Sequence, residues 1–266
     1  MDIASLIGMV AGFGLMIFGM VSGEQGFGAL GNFFDIPSVI ITIGGSICGT
    51  MASNTLPDFI NGLTSIGLVL KPVSGDVGQT ISSIIDLSNV ARKEGLLALE
   101  DKANNFEDEF LKESILFIVD AIEPDKLKAR FQQKLDYIAV RDAEEKRLYD
   151  LGAALGPSFG MLGTLVGLIN MLKSMNLEGG AGQLGQDMSV ALITTFYGSI
   201  IANVVFTPLG NKLEDAQSQE MLFKEMIIEG VISIKEGENP KYIEEKLLNF
   251  LENGKKDEDS SSGKEE

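Results

Sequence analysis

The chain of 266 residues has no histidine and a single cysteine, Cys48. Without histidine there is no His-based zinc site, no imidazole general base and no Ser-His-Asp triad. One cysteine rules out an intramolecular disulfide, and its place in an apolar stretch reads as a small buried hydrophobe rather than a reactive thiol. Basic residues are scarce, with 21 Lys and Arg against 38 Asp and Glu and a net charge of −17. This argues against a nucleic-acid partner, because neutralising phosphates takes clustered Lys and Arg. No internal repeat is visible.

Charge is also missing from four long apolar runs. Although 22% of residues are charged, mean hydropathy is +0.18, so charged and apolar residues are segregated. Crossing a hydrocarbon core takes about 20 mostly apolar residues as a helix. Ile3–Gly23, Ile36–Thr55, Leu151–Leu172 and Met188–Gly210 meet that requirement and are uncharged. Asp35 and Pro37 suit an N-cap and first turn for the second run. Residues 60–70 are apolar but too short, and read as an interfacial or core helix. The first run lacks the basic start of a cleaved leader and is long for one, so it reads as a retained span.

The basic residues orient these spans. Twelve lie between the second and third runs and eight after the fourth, while Glu24–Phe34 and Met175–Asp187 contain none. Both large segments, and hence both termini, are expected on the cytoplasmic side of the inner membrane. Glu24, Asp35, Glu178 and Asp187 fall outside. The expected architecture is all-α: spans one and two in residues 1–56, a cytoplasmic helical domain in 57–150, spans three and four in 151–210, cytoplasmic helices in 211–252 and a disordered acidic tail in 253–266. Within the cytoplasmic part, Ile81, Ile84, Ile85 and Ser88 recur at helical spacing, as do Leu111, Ile115 and Ile118. A further amphipathic helix is expected over 125–149, carrying Leu127, Phe131, Leu135 and Ile138 on one face, and others over 212–234 and 242–251.

Intramembrane ionisable groups mark ion pathways, and the interiors of these spans hold no Asp, Glu, Lys or Arg. Either the chain conducts nothing, as a membrane scaffold, or its essential acid comes from a partner. Spans three and four offer small residues and hydroxyls instead. Gly156, Gly160, Gly163 and Gly167 repeat every three or four residues, with Thr164 at the edge of their face; Thr194, Gly198 and Ala202 form a matching stripe beside Thr195. Such stripes bring helix backbones together, and a membrane threonine commonly bonds its own i−4 carbonyl. Pro157 and Pro208 sit near the cytoplasmic ends of their spans, where each removes a backbone donor and makes either a kink or a hinge.

The runs PSFGMLGTLVGLINMLKSM and MSVALITTFYGSIIANVVFTPL, separated by an acidic Gly-rich loop, resemble the MotA/PomA flagellar stator family, within the MotA/TolQ/ExbB superfamily. FFDIPSVIITIGG and ARKEGLLALED extend the resemblance over nearly the whole chain. TolQ/ExbB-type energy transducers, the nearest alternative, typically have three spans and lack the latter segment. The resemblance implies an ion-conducting subunit, not an enzyme and with no cofactor, which carries H+ or Na+. It implies a pentameric ring around a MotB-type single-span partner that supplies the ion-binding aspartate, and a cytoplasmic domain that pushes on the rotor protein FliG. By the same resemblance Arg92 and Glu100 are the torque-generating charges, with Lys93 and Asp101 as accessory charges. Pro157 and Pro208 are coupling prolines, and Thr164, Thr194 and Thr195 line the ion path. Proton-type relatives often carry Ala or Gly in place of Thr164 or Thr194, so the threonines lean the ion toward sodium.

Overall fold

The computed structural model describes residues 3–23, 26–65, 67, 77–104, 106, 108–120, 123–175 and 181–250, and all regular structure among them is helical. In chain order the helices are α1 (Ile3–Val21), a 3-10 helix (Gly26–Phe33), α2 (Ile36–Ala52), α3 (Leu56–Thr64), α4 (Val77–Glu94), α5 (Leu99–Ala103), α6 (Glu109–Val119), α7 (Pro124–Met175), α8 (Ala181–Ile200), α9 (Thr207–Glu236) and α10 (residues 240–250). A π-helical stretch, Ile201–Phe206, joins α8 to α9, and another, Ile40–Gly44, lies inside α2. The chain divides into two units, Met1–Pro72 with Ala143–Glu214 and Val73–Asp142 with Asp215–Glu266.

The first unit holds the apolar helices. Two uninterrupted helical runs, Asp125–Met175 and Leu184–Glu236, each contain a stretch long and apolar enough to cross a membrane. Gly26–Phe33 and Ile36–Ala52 reach that length only as a pair bent by 56°. By length and composition the described helices thus give two spans, or three if the bent pair is one, and the first half of that pair falls in the expected outer loop. α1, an uncharged helix of 19 residues, covers most of the first expected run. The start of α2 follows its sequence signals: the Asp35 carboxylate accepts from the Ser38 N–H at 2.8 Å, and Pro37 occupies the first turn. α3 is capped by Thr55 and carries Pro57 in its first turn, so the short apolar helix begins before residue 60 and ends at Thr64. Residues 68–70, Glu24, Glu178 and the tail 253–266 lie outside the described residues.

Two expectations change. The helix expected over 125–149 and the third span are one helix of 52 residues, and the fourth span runs on through Ile201–Phe206 into α9. Glycine ends helices where φ must turn positive; here Gly152 and Gly210 stay helical and serve as sockets instead. A Cβ on Gly152 would lie 2.4 Å from the Phe206 ring, and one on Gly210 3.0 Å from Tyr149 Cβ. The Tyr149 and Phe206 rings meet edge-on, 6.4 Å between centroids. Cys48 is exposed rather than buried. The buried stripe of α2 is Ser38, Thr42, Ser46 and Thr50, and Cys48, two residues beyond Ser46, lies about 200° round the helix from it.

The second unit has a core of its own. Ile84, Leu99, Ile115, Ile118, Leu127 and Ile227 are fully buried in it, each worth about 1.5–3 kcal/mol of transfer free energy. The faces expected on α4, α6 and the first part of α7 supply much of this core, with Ile85 packed at its margin; Ile138 is half-buried but is not part of it. Gly230 lets α9 approach α4, since a Cβ there would lie 2.9 Å from Ile84. Lys246 on α10 pairs with Glu229 and Glu238. Its burial, which favours the neutral amine, is outweighed by these carboxylates, and its pKa is raised.

Candidate functional site

The glycine stripe of α7 is where α8 comes closest. A Cβ on Gly156 would lie 2.9 Å from the Gly198 carbonyl oxygen, and one on Gly160 2.9 Å from that of Thr194. A Cβ on Gly163 would run into the Thr194 side chain at 2.4 Å, and one on Gly167 would lie 2.8 Å from Ala191. A larger residue at Gly156, Gly160 or Gly167 would meet backbone of α8, and one at Gly163 the Thr194 side chain, so the small-residue pattern is a packing seam. The seam fixes which α8 side chains face α7.

Three threonines lie along this contact and divide into two groups. The Thr164 hydroxyl is 2.6 Å from that of Thr195 and also donates to the Ala191 carbonyl at 3.0 Å and the Gly160 carbonyl at 3.1 Å as alternatives. Thr194 is fully buried against Gly163, its hydroxyl bonded within α8 to Ala191 at 2.9 Å and Val190 at 3.1 Å. Successive residues on a helix point about 100° apart, so Thr194 turns into the seam while Thr195 stays exposed. The Ala191 carbonyl is thus within reach of three hydroxyls, at 2.9, 3.0 and 3.4 Å. A carbonyl oxygen has two lone pairs. At least one hydroxyl must therefore turn elsewhere, and Thr164 and Thr195 have each other. The result is a cluster of two hydroxyl and two carbonyl oxygens with no carboxylate in it. Such oxygens suit a hard cation or a hydrogen-bonded water, short of the charged ligand that would hold either firmly.

Pro157 is accommodated inside α7 without ending it and lies on the same seam: a Cβ on Gly198 would be 2.6 Å from the Gly156 carbonyl oxygen and 3.2 Å from Pro157 Cα. Pro208 is the second residue of α9, two residues after the π-helical stretch Ile201–Phe206. Proline removes one backbone donor, and a local π turn is a recurrent way for a membrane helix to rearrange its carbonyls around such a loss. Below the seam, Lys146 on α7 bonds Glu214 on α9 at 2.9 Å and faces Asp150 at 3.7 Å; the bond to Glu214 raises the Lys146 pKa. α3 is held to the same part of α7 by the Tyr149 hydroxyl donating to the Gly62 carbonyl at 2.6 Å and by Ser65 donating to Glu145 at 2.6 Å.

In the second unit Arg92 and Lys93 occupy the last turn of α4, and Glu100 and Asp101 the first turn of α5. Gly95 separates the pairs at φ +88°, a conformation that favours glycine, and fully buried Leu99 anchors the far side. Each pair sits where the helix dipole favours its sign, an effect of about 0.3–1 kcal/mol. All four side chains are exposed, and none has an ion-pair partner among the described residues.

Sequence reading missed the hydroxyl stripe of α2. Its signal was present as polar residues at positions 38, 42, 46 and 50, a spacing of four within an uncharged span. It also missed the aromatic plugs: a Cβ on Gly45 would lie 2.3 Å from the Phe159 ring. No periodicity within one helix announces a contact made by another.

Residues 102–226 match the model of the MotA/TolQ/ExbB proton channel family. Motility protein A of Borreliella burgdorferi is 40% identical over 251 residues, spanning 94% of this chain and 94% of that protein. Chemotaxis protein PomA of Vibrio alginolyticus is 34% identical over 256 residues, spanning 96% and 98%. The flagellar MotAB stator complex from Bacillus subtilis contains a chain similar in structure, with a TM-score of 0.83 and 28% identity, over 94% of this chain and 96% of that one. C. jejuni MotAB shares the fold, with a TM-score of 0.84 at 24% identity over 94% and 96%.

Proposed function

We propose, from the premise that this chain belongs to the MotA/TolQ/ExbB proton channel family and is an ion-channel subunit of a flagellar stator, that Thr164 and Thr195 line its ion path. The observation that carries this is the hydroxyl pair 2.6 Å apart, beside the shared Ala191 carbonyl, in helices whose spans hold no Asp, Glu, Lys or Arg. A MotB-type partner, in keeping with the MotAB complexes of similar fold, supplies the missing carboxylate from its single span, and five copies of this chain surround it. Thr194 acts from within the seam, holding α8 rather than facing the ion. Both termini and the Val73–Asp142 segment are cytoplasmic, with the chain multi-pass in the inner membrane.

Arg92, Lys93, Glu100 and Asp101 form the contact with the rotor protein FliG. Their exposure and the absence of an ion-pair partner among the described residues suit charges that meet another surface, where they steer and register the contact more than they tighten it. Pro157 and Pro208 connect the ion path to this contact through α7 and α9. The ion is sodium on the strength of the paired hydroxyls, since sodium requires several oxygens to replace its water shell.

The test is ion flux through the co-reconstituted complex. Thr164→Ala and Thr195→Ala should each reduce flux at least tenfold while the level of complex in the membrane is unchanged. Undiminished flux in both variants would contradict a path at this pair.

A further inference from the structure

The hydroxyls of α2 all lie in the interior of the first unit, yet they do not all do the same thing. Ser46 donates to the Thr42 carbonyl at 2.5 Å and Thr50 to the Ser46 carbonyl at 2.8 Å, the ordinary i−4 bond within one helix. Ser38 donates to the Asp35 carboxylate at 2.5 Å and also lies 3.4 Å from the Val190 carbonyl oxygen on α8. Thr42 likewise reaches across helices. Fully buried, it donates across to α8, to the Thr194 carbonyl oxygen at 3.3 Å. Thr42 lies in the π-helical stretch Ile40–Gly44, a local departure from regular α-helix.

The carbonyl it reaches lies on the seam. The Gly160 backbone approaches that oxygen from α7, and Gly163 receives the Thr194 side chain. Thr194 is therefore contacted from two helices: α7 lies beside its side chain at Gly163 and its carbonyl at Gly160, and α2 supplies a donor to that carbonyl. The next residue, Thr195, carries the hydroxyl that meets Thr164. A turn of α8 about its axis would move Thr195 away from Thr164, and the Thr42 bond opposes that turn.

We infer that Thr42 is a positioning residue for the ion path: by bonding the Thr194 carbonyl it sets the rotation of α8 that presents Thr195 to Thr164. The inference rests on the reading of Thr164 and Thr195 as the path. Thr42 does not touch the ion, so its removal changes how well the site is assembled, not whether it exists. A neutral hydrogen bond of this kind has a net effect equivalent to about 2- to 10-fold in an equilibrium.

The experiment uses the full complex in swimming cells or reconstituted vesicles. Speed or flux is measured against sodium concentration at fixed pH and against pH at fixed sodium, together with membrane level. Thr42→Val, which keeps the shape and removes the hydroxyl, should shift the half-maximal ion concentration about 2- to 10-fold at unchanged membrane level. Thr42→Ala should shift it the same way, and Thr42→Ser, which restores a donor, should return it toward the original value. A merely structural residue would lower the amount of complex without moving the ion dependence, and that result overturns the inference. So does an unmoved ion dependence in Thr42→Val and Thr42→Ala when Thr164→Ala and Thr195→Ala do move it. If those two also leave the ion dependence unmoved, it is the ion-path reading that has failed, and the role of Thr42 falls with it.

Discussion

The Thr164 hydroxyl on α7 lies 2.6 Å from the Thr195 hydroxyl on α8, and this meeting depends on residues that carry no chemistry. Gly160 and Gly163 bring the helices close enough for the hydroxyls to touch, and Gly198 does the same from the other side. The small-residue seam and the polar pair are therefore one feature: widening the seam separates the oxygens.

The seam gives a direct stability prediction. A Cβ at Gly198 would lie 2.6 Å from the backbone oxygen of Gly156, which cannot swing aside as a side chain does. Gly198→Val should destabilise the protein by about 1–3 kcal/mol, read as a lower unfolding midpoint in detergent and a lower membrane level. Gly19→Ala, where a Cβ meets nothing within 4 Å, should leave both unchanged. Equal midpoints for Gly198→Val and the parent would show that α7 and α8 do not pack this way.

The orientation is tested by labelling. Because Cys48 is exposed, single cysteines are placed in a Cys48→Ala background. A cysteine at Gly182 should react with an impermeant reagent applied to the periplasmic side, while cysteines at Asn104 or Asn239 should react only after the membrane is opened. Labelling of Asn104 in intact cells would reverse the assignment of the Val73–Asp142 segment.

Much of this was legible in the sequence, and what was missed has a physical cause. The seam was visible because glycines recur every three or four residues, and the α2 cap because Asp35 and Pro37 sit in the positions a helix start requires. The core faces of α4 and α6 followed from helical spacing. Helix ends near residues 150 and 210 were not legible, because Gly152 and Gly210 have the composition of a boundary but are sockets for Phe206 and Tyr149. The separation of Thr194 from Thr195 was available in principle from the 100° step of a helix. Which of the two faces Thr164, however, depends on packing against Gly163, a contact between elements that no single helix records.

The exposed charges make a prediction about torque. All four side chains are exposed with no ion-pair partner among the described residues, so each should contribute no more than about 1 kcal/mol to folding, through the helix dipole. Reversing both signs, Arg92→Glu with Glu100→Arg, should abolish or strongly reduce swimming at unchanged membrane level and unchanged flux. Opposite reversals on FliG should restore it. Normal swimming in the double variant would remove the pair from the rotor contact.

The hydroxyl pair predicts the ion. Replacing sodium by potassium at fixed pH should stop swimming within the time of the exchange, and restoring sodium should restart it. Full speed in potassium, abolished by a protonophore, would make protons the ion and leave Thr164 and Thr195 to order a water chain.

The central claim is that this chain lines an ion path and relies on a partner for the charge within it. Its most direct test is flux into vesicles containing the purified chain alone, the chain with its single-span partner, and the chain with a partner whose membrane aspartate is changed to asparagine. The account predicts ion-selective flux only in the second preparation. Equally selective flux from the chain alone would contradict it.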